Sequence, residues 1–212
     1  MIKKLNPNKK AVWLDIHNFL LEKASPYNKL RLLIEENGCI KLTEPSEKDL
    51  FRFICRIITG QQLSTQAAKS LWDKLNKLCL EEKKELRELF NGNSFQKIKD
   101  CGLSANKVLA MKKLHDSFTK GVINAQLIKK LEDNEVINLI TSLWGLGPWS
   151  AEMILIGYLG NHDIWSFNDS SLQKGIGLAL SEQDKPEKEI IESFSPYRTL
   201  LSRHIWKGLD EG

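Results

Sequence analysis

From Ser46 the chain reads SEKDLFRFICRIITG, with Leu50, Phe53, Ile54, Ile57 and Ile58 recurring at three- and four-residue intervals before a stop at Gly60. This period puts the five side chains on one face of a helix, with Ser46 as its N-cap and Asp49 at the N3 position. The same spacing returns along nearly the whole chain. A second helix is expected from Ser64 (STQAAKSLWDKLNKLCL), a third near Glu82, and a fourth from Ser104 (SANKVLAMKKLHDSF), closed by Gly121. Further helical stretches fall at 133–142, 148–159, 169–180, 186–193 and 195–208, with two more before residue 38. No long β-branched alternation competes with this pattern, so the expected class is all-α, with about ten or more short helices.

The chain has 212 residues, 42% of them hydrophobic and 27% charged, enough apolar material for one large domain or two small ones. No run approaches the roughly 20 apolar residues that span a bilayer. The start, MIKKLNPNKKAVWLD, carries two basic clusters but no apolar leader segment. The expectation is a cytoplasmic protein, nucleoid-associated in a bacterium, with no membrane partner. Cys39, Cys55, Cys79 and Cys101 are 16, 24 and 22 positions apart, so no Cys-x-x-Cys pair exists to grip zinc or an iron–sulfur cluster. They read as reduced, mostly buried thiols, and no His/Cys/carboxylate spacing suggests a metal enzyme. A net charge of +4 is too mild to prove a nucleic-acid partner.

The segment Leu143-Trp-Gly-Leu-Gly-Pro-Trp-Ser-Ala151 joins two apolar helices through Gly145 and Gly147. Two alternating glycines permit positive φ and close backbone approach, and Pro148 suits the first turn of the helix that follows. The turn therefore presents backbone amides at a helix N-terminus, a site for an anion such as a DNA phosphate. A Gly-x-Gly is also a common tight turn. The full pattern, with small Ala151 for close helix packing, resembles the helix-hairpin-helix.

Sixteen to twenty-two residues past Gly147 the loop NHDIWSFNDSSLQKG brings Asp163 and Asp169. The hairpin, this loop and the closing SPYRTLLSRHIWKG together resemble the helix-hairpin-helix (HhH-GPD) DNA glycosylase superfamily, in its 3-methyladenine DNA glycosylase II branch. The likeness extends upstream to Ile57-Ile-Thr-Gly-Gln-Gln-Leu-Ser-Thr-Gln-Ala-Ala68 and Cys101-Gly-Leu-Ser-Ala-Asn-Lys107, four motifs in the family's order over residues 45–208. It implies a six-helix barrel over 42–162 ending in the hairpin. A second lobe, 1–41 together with 163–212, would carry the catalytic aspartate beside a cleft between the lobes.

Asp169 falls on the family's catalytic aspartate at the head of a helix, where it can also serve as the N-cap. An ionised carboxylate there either stabilises the oxocarbenium-like charge on the sugar or orients the attacking water. Asp163 reads as a structural cap. The loop departs from the family at Ser166, where a proline is usual, and at Ser170-Ser171, where a Leu-Gly-like pair is frequent. Bifunctional relatives carry a nucleophilic lysine at the position of Trp149, and this sequence has no cysteine after Cys101 for their cluster. The resemblance thus implies a monofunctional glycosylase that uses water, leaves an abasic site and has no lyase activity.

By the same resemblance Trp206 faces the flipped base, with Met153 and Trp149 completing the pocket; Trp206 could equally be a core aromatic of the last helix. A cationic alkylated purine, such as 3-methyladenine or 7-methylguanine, gains from stacking on such rings. Gln62, with Leu63 next to it, is implied as the wedge that fills the hole in the duplex, on a loop whose Ser64 also caps the following helix. Gly145, Gly147, Trp149, Ser104 and Lys107 are the expected phosphate contacts. A structural Na or K ion on the hairpin backbone at Leu143 and Gly145 is the only metal suggested, and no other cofactor is. The implied partner is double-stranded DNA with alkylated bases, bound by a monomer. Two rival readings are a non-catalytic helix-hairpin-helix DNA-binding module and a glycosylase for another damaged base.

Charge is divided along the chain. Residues 51–80 carry five basic and one acidic side chain and residues 96–130 eight and two, whereas residues 131–170 carry six acids and no Lys or Arg. The basic helices would supply general attraction to DNA, and the hairpin stretch would hold phosphate through amides.

Overall fold

The computed structural model describes residues 10–92, 94–181 and 185–210; the basic stretch at the start, residues 1–9, lies outside them. Among the described residues every regular element is helical. The α-helices are α1 (Lys10–Ala24), α2 (Asn28–Asn37), α3 (Leu50–Gly60), α4 (Thr65–Glu82), α5 (Phe95–Asp100), α6 (Ala105–Thr119), α7 (Ala125–Ile128), α8 (Asp133–Thr141), α9 (Pro148–Gly157), α10 (Ser170–Ala179), α11 (Glu187–Glu192) and α12 (Arg198–Asp210). A short 3₁₀ turn, Glu88–Asn91, precedes α5. None of these helices is long and apolar enough to cross a membrane.

Several elements differ from the sequence reading: α5 and α7 were not anticipated, and α12 begins at Arg198 rather than at 195. Asp49, not Ser46, caps α3: its carboxylate accepts the Arg52 N–H at 2.8 Å, so the helix begins three residues later than expected. No third helix starts near Glu82, which instead ends α4. Lys83 adopts the left-handed conformation, φ 53°, and its N–H closes on the Cys79 and Leu80 carbonyls. Such a cap stops a helix even though the residues beyond it are good helix formers.

The chain divides into two compact units, Pro45–Leu159 and a discontinuous one formed by residues 1–44 and 160–212. Within 45–159, α3 packs against α4, α6 and α9, and α8 packs against α9. Phe51 of α3 is 1% exposed and meets Phe90, His115 and Phe118 edge-on at centroid distances of 5.9, 6.3 and 5.5 Å. In the discontinuous unit α2 and α10 both pack on α12, around Leu20, Leu30, Ile34, Leu172, Phe194, Leu201 and Ile205. A Cβ at Gly175 would collide with Ile205, so glycine lets α10 lie close against α12.

Candidate functional site

In the discontinuous unit, Asp169 is set by its own helix. It is the N-cap of α10 in extended conformation, and its Oδ1 accepts the Leu172 N–H at 2.8 Å. The residues before it form a turn in which the Asp169 N–H donates to the Ser166 carbonyl at 3.1 Å. Ser166 is fully buried, and the Gln173 side chain bonds the Phe167 carbonyl at 2.5 Å. Ser166 thus closes this turn with its backbone carbonyl.

Asp169 is 9% exposed, and its carboxylate lies at the positive end of the α10 dipole. On α12, the half-buried Trp206 points its indole Nε1–H at Asp169 Oδ1, 3.5 Å away. The Arg203 guanidinium sits over the Trp206 ring at 5.8 Å. Aspartate, indole and guanidinium therefore form one connected group, two of whose members the sequence reading named.

Asp163 is engaged differently. Arg198 grips it twice, Nε to Oδ1 at 2.7 Å and Nη2 to Oδ2 at 3.1 Å, and Ser195 Oγ donates to Oδ2 at 2.8 Å. Burial raises this carboxyl, but the bonds from Arg198 and Ser195 outweigh it and hold the group below the ordinary aspartate value. Asp163 anchors the start of α12 to the loop that leads into Asp169.

The other sequence-predicted residues lie in the 45–159 unit. Gly145 has φ +81°, and a Cβ there would come 2.8 Å from Ala110 Cβ of α6, so both backbone and packing require glycine. Gly147 corrects the expectation of positive φ at both glycines. Its φ is −108°, an extended N-cap of α9 that any residue can adopt, and a Cβ would meet nothing within 4 Å. Positive φ at Gly145 alone suffices to reverse the chain into Pro148, the first residue of α9. Trp149 and Met153, one helical turn apart on α9, are both half-buried.

Gln62 and Leu63 are exposed at the tip of a β-turn closed by the Leu63 N–H to the Gly60 carbonyl at 3.2 Å. Gln61 at φ −51°, ψ 127° and Gln62 at φ 57° make it type II, a turn that ordinarily wants Gly or Asn where Gln62 stands. Ser104 caps α6, its Oγ accepting the Lys107 N–H at 3.3 Å. Lys107, expected on phosphate, directs its Nζ instead to the carbonyls of Thr59 and Gln61, at 2.8 and 2.9 Å. Burial lowers its pKa.

Gln61, next to the two residues expected as the wedge, has partners the sequence reading missed. The Gln61 amide donates to the Gly145 carbonyl at 3.0 Å and to Ser150 Oγ at 3.1 Å. Of the two hairpin carbonyls expected to hold a cation, Gly145 therefore accepts from Gln61, and Leu143 accepts the Leu146 N–H at 3.2 Å.

No family model matches the sequence. The chain is 28% identical over 197 residues to the DNA-3-methyladenine glycosylase of Saccharomyces cerevisiae, covering 76% of this chain and 67% of that one. It is 25% identical over 166 residues to DNA-3-methyladenine glycosylase 1 of Schizosaccharomyces pombe, covering 76% and 73%. Among solved structures, the S. pombe 3-methyladenine DNA glycosylase Mag1 in complex with abasic DNA matches with a TM-score of 0.78 at 22% identity, over 91% of this chain and 95% of that one. The chain thus shares the all-helical fold of Mag1 and resembles DNA-3-methyladenine glycosylases in sequence.

Proposed function

We propose that the protein is a monofunctional DNA glycosylase of base excision repair, which flips out an alkylated purine and hydrolyses its N-glycosidic bond to leave an abasic site. The observation that carries this reading is Asp169, a residue 9% exposed whose carboxylate caps α10 and faces the Trp206 indole N–H. That carboxylate sits at the N-terminus of α10, the positive end of the helix dipole.

The bond between the sugar C1′ and the purine nitrogen breaks with its electron pair going to the base. In an alkylated purine of the 3-methyladenine or 7-methylguanine type, that pair neutralises a formal positive charge, so the base leaves without acid assistance. Positive charge then builds on the sugar, and the Asp169 carboxylate stabilises it while water adds to C1′ and gives up a proton. Trp206 offers the leaving ring an electron-rich face, which a cationic base prefers. Trp149, where a lyase needs its amine, has no nitrogen nucleophile, so no Schiff base forms and the strand stays intact.

DNA is held by the hairpin. The head of α9 directs backbone amides and a positive dipole end outward, and the open space at Gly147 admits a phosphate close to the backbone. Gln62, backed by Leu63, fills the gap left by the extruded nucleotide.

The test is to incubate methylated duplex DNA with the wild type and with Asp169→Asn, and to identify released bases by mass spectrometry. The wild type should free methylated purines and the variant should free essentially none. Release by neither protein, or equally by both, refutes the mechanism. Borohydride trapping or alkali-independent strand cleavage would show a lyase instead.

A further inference from the structure

We propose that Gln61 and Lys107 are positioning residues for base extrusion, locking the wedge turn to the hairpin so that gap filling and backbone grip occur in one fixed register. The inference deepens the glycosylase reading and rests on it. Four hydrogen bonds carry it, all within the 45–159 unit. Lys107 Nζ holds the Thr59 and Gln61 carbonyls, at and just beyond the C-terminal end of α3, where carbonyls lack intrahelical partners and the dipole favours a cation. The Gln61 side chain then crosses to the hairpin, holding the Gly145 carbonyl and the Ser150 hydroxyl.

Ser150 is 1% exposed, so this amide serves a group shut off from solvent. Between the two anchors sits Gln62 at φ 57°, in a conformation a glutamine rarely adopts unaided. With Gln61 tethered at both its carbonyl and its side chain, the turn keeps the type II form that projects Gln62 and Leu63. Without the tethers, Gln62 relaxes toward negative φ and the wedge points elsewhere. The hairpin would still meet phosphate, but the side chain meant for the gap would no longer arrive with it.

The test separates grip from wedge. The probe is a duplex containing a tetrahydrofuran abasic analogue with 2-aminopurine opposite, whose fluorescence reports filling of the gap; affinity for undamaged duplex is measured alongside. Gln61→Leu and Lys107→Met should each reduce the fluorescence change and the single-turnover rate of base release about tenfold, the scale set by one or two hydrogen bonds. The undamaged-duplex affinity of Gln61→Leu, which removes no charge, should stay within about twofold, and Lys107→Arg should restore most of the signal lost in Lys107→Met. In a Gln62→Ala background, Gln61→Leu should add less than about twofold, because the residue it positions is gone.

Three results overturn the proposal: an undiminished fluorescence change in Gln61→Leu, full additivity with Gln62→Ala, or parallel loss of undamaged-duplex affinity in Gln61→Leu. A wild type that binds the abasic duplex but releases no base refutes the glycosylase chemistry while the positioning role is still decided by fluorescence. A wild type that does not bind that duplex defeats both.

Discussion

His204 gives the protein a weak point in acid. It is 1% exposed on α12, neither ring nitrogen has a hydrogen-bond partner among the described residues, and the His17 ring lies 6.2 Å away. Burial first, then His17 and Lys207, lowers its pKa from 6.5 to about 4. The unfolded chain therefore takes up this proton at a higher pH than the folded one. Stability is unaffected above pH 6.5, falls as pH drops from there toward 4, and levels off below. At about 1.4 kcal/mol per unit, the loss at pH 4.5 comes to about 2.5 kcal/mol. Urea unfolding of the wild type and His204→Leu at pH 7.5 and 4.5 checks this. The two should differ little at the higher pH, since leucine of similar volume replaces a ring that makes no hydrogen bond. At pH 4.5 the variant should be the more stable by about 2 kcal/mol. Parallel pH profiles would refute the reasoning.

The two hairpin glycines should respond differently. Gly145→Ala must accept φ +81° and a 2.8 Å contact with Ala110, and should cost about 2–3 kcal/mol in denaturant melts. Gly147→Ala should change stability by no more than about 0.5 kcal/mol yet weaken duplex binding, measured by fluorescence anisotropy. Asp163→Asn leaves Arg198 half-buried without its charge partner; thermal unfolding should show a loss of about 2 kcal/mol. Asp169→Ala should lose about 1 kcal/mol of cap stability while Asp169→Asn keeps most of it, so that calorimetry separates the two although both abolish base release.

Periodicity was enough to read the all-α class, because a buried stripe at 3.6-residue spacing leaves a local mark wherever a helix packs. Caps were less legible. Ser46 and Asp49 both suit an N-cap, and Glu47 decides between them by accepting from the Asp49 N–H and pairing with Arg52. The end of α4 at Lys83 depends on a left-handed residue that no glycine announces. The N-cap role of Asp169 could be read from sequence because the amide it bonds is local. The Gln61 tether could not, since its partners Gly145 and Ser150 are 84 and 89 residues away. The contacts of Lys107 were illegible for the same reason, since the residues whose carbonyls it bonds, Thr59 and Gln61, are 48 and 46 positions away.

The unit that carries Asp169 is written in two pieces, with residues 45–159 between them. A ribosome finishes α1 and α2 long before it makes α10 and α12, the helices that bury Leu20, Leu30 and Ile34. Within the 45–159 unit α3, α4, α6, α8 and α9 pack on one another, and that unit can fold while the nascent chain waits. Closing the other unit means joining the ends of a long loop, whose entropic penalty shrinks once the intervening segment is already compact. Until then the apolar faces of α1 and α2 stand in water, which makes the interval before α12 emerges the period of greatest exposure to aggregation.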